Sequence, residues 1–171
     1  MGRQSVTQND RNRSCSLATL APLAHFPHLA LFSLQTGPAA GQIDQPPPGM
    51  VLHDVGRMLG DFADTAAVIA HLDLVITVDT AVAHLAGAMG KPVWTLLPFA
   101  PDWRWGRQSA HTPWYPTMRL FRQPAPGAWE AVCQRVVEAL TTLLEHRPND
   151  TGQALGVYQP CLTSAAGEAP L

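Results

Sequence analysis

The stretch "VITVDTAVAHLAGAMGKPVWTLLP", residues 75 to 98, sets Asp79, Thr80, Ala81 and His84 close together after an apolar run. If that run is a strand and Thr80 to Met89 a helix, Thr80 and His84 share one helix face, one turn apart. Asp79 or Thr80 is then the natural N-cap, and first-turn N–H groups left over by the cap point outward. With the helix dipole they form an anion site to which an imidazole adds a hydrogen bond or, protonated, a charge. A carboxylate repels phosphate, so Asp79 is assigned to capping or to a sugar hydroxyl. Thr80, Ala81 and His84 are left for the phosphate. Spacing leaves a plainer reading open, in which Asp79 and Thr80 only cap and His84 only packs.

Two further groups suit the same chemistry. "PDWRWGRQ" interleaves Trp103 and Trp105 with Arg104 and Arg107, and Trp114-Tyr115 follow. Flat rings suit sugars or bases and guanidinium suits phosphate, although such a loop is equally served by tryptophans that only pin it. Gln35 stands just after a second apolar run.

The elements that must position these residues follow from pattern. Ser16 caps an expected helix over 16–26 with Leu17, Leu20 and Leu23 in step; "LALFSLQ" (29–35) reads as a strand running into the turn "TGPAAG". "QIDQPPPGM" must be an extended loop. A short strand over 50–56 precedes a helix over 61–72 started by Asp61 or Asp64, then a strand over 73–78 and the helix stopped by Gly90 and Pro92. A strand over 92–97, the loop 98–116, a strand over 117–123 and a helix over 127–147 complete the pattern. Apolar strands alternating with helices predict an α/β fold, a Rossmann-like doubly wound parallel sheet with helices on both faces. Ligands in such sheets lie beyond the carboxyl ends of the strands, which puts Gln35, Asp79-Thr80 and the 98–116 loop on one rim.

Composition excludes several classes. The formal net charge is −2 with no run of either sign, which argues against nucleic acid as a partner. The longest apolar region is broken by His71, Asp73, Asp79, His84 and Lys91, so no membrane span is expected. Three widely spaced cysteines suggest neither a disulfide framework nor a zinc site, and no metal is expected. A cytoplasmic location fits best.

From "NDRNRSCSLATLAPL" through "LFSLQTGP" and "DFADTAAVIAHLDLVITVDT" to "RLFRQ", roughly residues 9 to 145, the chain resembles the C-terminal domain of heptosyltransferase-like glycosyltransferases, of the kind fused to tetratricopeptide repeats in bacteria. The resemblance implies the C-terminal half of a glycosyltransferase-B fold, which binds the diphosphate of a nucleotide-sugar donor while an N-terminal half supplies most acceptor contacts. Carried over by position, the nucleotide-diphosphate motif falls on Asp79, Thr80, Ala81 and His84. Gln35 and Arg104 join them as rim candidates, and no catalytic residue is assigned. Transfer in that family resembles direct displacement without a metal, and no cofactor beyond the donor is expected. Three segments follow: a divergent start over 1–8, the nucleotide-sugar domain over 9–147, and a flexible tail over 148–171.

The strand expected before "NDRNRS" is replaced by "MGRQSVTQ", so the domain reads as truncated, with a central sheet edge or groove left open. Candidate partners are the nucleotide sugar and a protein supplying the N-terminal domain. The alternative is a non-catalytic relic acting as an interaction module. A dehydrogenase-type binder is disfavoured, because no GxGxxG follows any strand.

Overall fold

The computed structural model describes residues 14–146 and 155–158. Six strands form one sheet in the order β2-β1-β6-β3-β4-β5, every neighbouring pair parallel. They are β1 (Leu29–Ser33), β2 (Leu52–Asp54), β3 (Leu74–Val78), β4 (Val93–Leu97), β5 (Met118–Arg122) and β6 (Leu155–Tyr158). Helices α1 (Phe62–His71), α2 (Ala81–Ala88) and α3 (Trp129–Glu145) connect or cover them. The α/β Rossmann-like architecture read from the sequence is the one present.

Both sheet faces are covered, which is why β3 and β4 are buried at every position. Alternation then sorts their side chains. Leu74, Ile76 and Val78 pack with Val132, Val136 and Leu140 of α3 beneath one face, while Val75 joins Ile69 of α1 and Ala83 of α2 on the other. Each fully buried Val, Ile or Leu contributes about 1.5–3 kcal/mol by leaving water.

Local signals set the helix ends. Asp61 accepts from the N–H groups of Ala63 and Asp64, holding the start of α1. Gly90, at φ 70°, takes the left-handed backbone that closes α2. The segment Leu17–His25 is a 3-10 helix with Ser16 as its cap and Pro22 inside it. Pro38–Asp44 winds into a second 3-10 helix where a simple turn and loop were expected.

The largest departure concerns the expected tail. Residues 155–158 are a strand in the middle of the sheet, pairing with β1 along four residues and with β3 at Leu74 and Val75. Val157 is fully buried. β6 fills the expected opening between β1 and β3 from Leu29 to Phe32 and at Leu74 and Val75. Four residues are too few for a periodic signal, and their partners are distant in sequence. The expected divergent start and the remainder of the expected tail lie outside the described residues.

Candidate functional site at the end of strand β3

Strand order reverses between β1 and β3, and the carboxyl ends of the strands at such a reversal are where doubly wound sheets take ligands. β3 ends at Val78; the chain turns through Asp79 and Thr80 directly into α2. Asp79 is buried, Thr80 and His84 are half-buried, and Ala81 is exposed at the helix start.

Thr80 occupies the N-cap position with extended backbone, yet its hydroxyl makes no cap hydrogen bond. It pairs instead with the Thr77 hydroxyl at 3.1 Å, and Thr77 also donates to the Val78 carbonyl at 3.0 Å. Of the two expected caps, Asp79 and Thr80, the Thr80 oxygen does not cap α2: Thr77 gives its proton to Val78, so the Thr80 hydroxyl donates to Thr77 and is turned toward the strand. Thr80 thus leaves the first-turn N–H groups uncapped by its side chain.

His84 is built into an aromatic cage. Its Nδ1 lies 3.0 Å from the Tyr115 hydroxyl, and its Nε2 lies 3.9 Å from Asp79 Oδ1, an ionic rather than hydrogen-bonding distance. The Trp105 ring stacks on the imidazole with centroids 5.2 Å apart, and Tyr115 meets it edge-on at 5.7 Å. Trp105 is 2% exposed, so of the two tryptophans of "PDWRWGRQ" it is the one that pins the loop. Trp103 is 79% exposed.

The loop after β4 is held to the sheet by Arg122. Its guanidinium donates to the carbonyls of Trp105 at 2.5 Å, Gly106 at 3.1 Å and Ser109 at 3.0 and 3.2 Å. Partial burial lowers its pKa from the ordinary arginine value. Buried Gln123 joins the same rim from below, its side-chain oxygen accepting from the N–H groups of Phe99 and Gly127.

Arg104 lies beside this cage and is committed to Asp102, Nε to Oδ1 at 2.8 Å. The Asp102 carboxyl is held below its ordinary value first by the Arg104 backbone N–H it accepts from, then by the Arg104 guanidinium, with a smaller pull from His84. Gln35 is buried and donates to its neighbour's carbonyl at Thr36. It follows β1, with β6 between it and Asp79, roughly 10 Å away by strand spacing.

Asp79, Thr80, Ala81 and His84 are thus brought together, with Arg104 one loop away and Gln35 across the switch point. Sequence reading missed Asp102 and Arg122, and noted Tyr115 only as a flat ring. Tyr115 stands 31 positions from His84, a separation for which no local pattern exists. Among the described residues no group of His, Cys, Asp or Glu could hold a metal ion, and no helix is long and apolar enough to cross a membrane.

A parallel doubly wound sheet with this helix start at its reversal defines a Rossmann-like α/β protein. The model of glycosyltransferase family 9, the heptosyltransferase family, matches residues 55–141, and the chain belongs to that family. The match contains Asp79 through His84, Trp105, Tyr115 and Arg122 but not Gln35. Protein FlbA of Caulobacter vibrioides is 34% identical over 129 residues, covering 70% of this chain. The chain spans 20% of the length of that relative. No solved structure matches it.

Proposed function

We propose that this chain binds the diphosphate of a nucleotide-sugar donor at the junction of β3 and α2, as the donor-side domain of a glycosyltransferase. One observation carries the reading. The Thr80 hydroxyl turns to Thr77 rather than capping, so its side chain does not cover the first-turn N–H groups of α2, and His84 lies one turn down on the same face. In this arrangement the α2 start and His84 stabilise the diphosphate as it leaves the anomeric carbon, a role for preorganised donors. Asp79, too close for a second negative charge, takes a sugar hydroxyl.

The described residues form one α/β unit, and acceptor contacts in glycosyltransferase-B enzymes come largely from a second. Transfer is therefore assigned to this unit together with that second half, in the same or another chain. The free thiol at the buried Cys133 fits a reducing compartment such as the cytoplasm.

Calorimetric titration with uridine, adenosine and guanosine diphosphates tests the reading and names the base. At least one should bind between about millimolar and micromolar, which corresponds to roughly −4 to −8 kcal/mol. Absence of heat with all three sinks it. Exposed rings at Phe99, Trp103 and Trp114 favour a second reading, a non-catalytic interaction module, which would survive that outcome.

A further inference from the structure

We infer that Tyr115 is a positioning residue that fixes the tautomer of His84 with its proton on Nε2, and that Gly87 is the seat that lets it do so. The consequence for the ligand rests on the diphosphate reading above; the tautomer assignment does not.

A neutral imidazole carries one N–H, and this ring has a different neighbour at each nitrogen. The Tyr115 hydroxyl lies 3.0 Å from Nδ1 and the Asp79 carboxylate 3.9 Å from Nε2. With the proton on Nδ1, the lone pair of Nε2 would face the carboxylate oxygen. With the proton on Nε2, the N–H dipole faces that charge and Nδ1 accepts the phenol O–H. The second arrangement is attractive at both ends, and a hydroxyl can rotate to serve it. Stacking on Trp105 and the edge of Tyr115 hold the ring so that the nitrogens do not exchange places.

Tyr115 is held in turn. Its carbonyl accepts from Met118 N–H at 3.0 Å, fixing its backbone to the start of β5, and the indole of Trp114 donates to the Arg104 carbonyl at 3.1 Å. Its ring lies flat against α2 at Gly87. A Cβ added there would sit 2.6 Å from Tyr115 Cγ and 2.9 Å from Cδ1, closer than side chains approach. The backbone on both sides is fixed, so the phenol would have to leave His84. Gly87 thus belongs to the site although it touches neither Asp79 nor His84 through a side chain. A tautomer set before the ligand arrives spares the ring a choice on binding, which is what preorganisation contributes to affinity.

The test uses the full chain labelled with 15N, as parent, Tyr115→Phe and Gly87→Ala. Long-range 1H–15N spectra of the His84 ring in alkaline buffer report the tautomer, and calorimetry with a nucleoside diphosphate reports binding. The parent should show a protonated Nε2 and a bare Nδ1, Tyr115→Phe a mixture of tautomers, and Gly87→Ala the same mixture although it keeps the hydroxyl. Affinity should fall about three- to tenfold in both variants, the size of a weakened but not deleted polar contact. A parent with its proton on Nδ1, or an unchanged His84 spectrum in Tyr115→Phe, overturns the assignment. Tyr115→Phe keeps the ring and its packing, so it answers even if Gly87→Ala fails to fold. If the tautomer shifts as stated while no nucleoside diphosphate binds the parent, the assignment stands and the diphosphate reading falls.

Discussion

Replacing Arg122 by Met should loosen the loop that carries Trp105 while leaving the sheet intact. The guanidinium donates to three loop carbonyls, those of Trp105, Gly106 and Ser109. The Gly106 and Ser109 bonds are exposed, so water takes them over at little cost; the Trp105 bond is partly buried and is not so easily replaced. One charge-assisted bond of this kind contributes about 1.5–3 kcal/mol. Burial of the guanidinium, which already lowers its pKa, offsets part of that and places the expected loss toward the lower end. For a chain of this size each kcal/mol moves the melting temperature by about 2–4 °C, so a fall of roughly 3–8 °C is expected. Scanning calorimetry measures it, and hydrogen exchange should show faster loss of protection at residues 105–110 than in the strands. Arg122→Lys should recover less than half, because one ammonium cannot span three carbonyls. A melting point within about 1 °C of the parent, with unchanged exchange in the loop, would refute the view that Arg122 organises the rim.

Other consequences are quicker to check. Asp61→Ala should cost about 0.5–2 kcal/mol in denaturant unfolding, because two N–H groups lose their cap, whereas Thr80→Val should cost less, since its hydroxyl caps nothing. Burial, then the Glu130 charge, pushes the Cys133 thiol up from 9.0 to about 11, so native protein at pH 8 should alkylate there far more slowly than unfolded protein. The sign of the linkage is fixed: stability from that thiol is full below pH 9 and is lost as pH rises toward 11. Val157→Asp should destabilise the fold by several kcal/mol, about 3 or more, through a charge buried in the middle of the sheet; an unaltered melting curve would remove that strand from the sheet.

The junction from β3 to α2 is legible in sequence because its signals are local: an uninterrupted apolar run, a polar pair at its end, small residues at helical spacing and Gly90 to stop it. The same holds for α1, whose cap Asp61 precedes it directly. β6 is hidden because its evidence is entirely non-local: four residues pairing with Leu29–Phe32 and Leu74–Val75, far away in the chain. The partners of His84 are hidden for a related reason. Trp105 and Tyr115 are visible as aromatic residues, but which ring packs and which faces solvent depends on how Arg122 folds the loop. Thr80 shows the limit of capping rules: it holds the cap position, and the neighbouring Thr77 hydroxyl takes its bond.

The start of α2 is the proposed diphosphate site. Amide and imidazole spectra of the labelled protein, recorded while the nucleoside diphosphate that binds best is added, test it at the atoms concerned. The N–H signals of Ala81 and Val82 and the His84 ring should move together and saturate, and His84→Ala should weaken binding at least tenfold, as loss of one hydrogen bond to a charged group requires, beyond the modest fall in melting temperature expected from its ring contacts with Trp105 and Tyr115. Shifts confined to the exposed Trp103 loop, no binding by the parent, or a His84→Ala protein that binds as tightly as the parent would contradict it and leave His84 with the packing role alone.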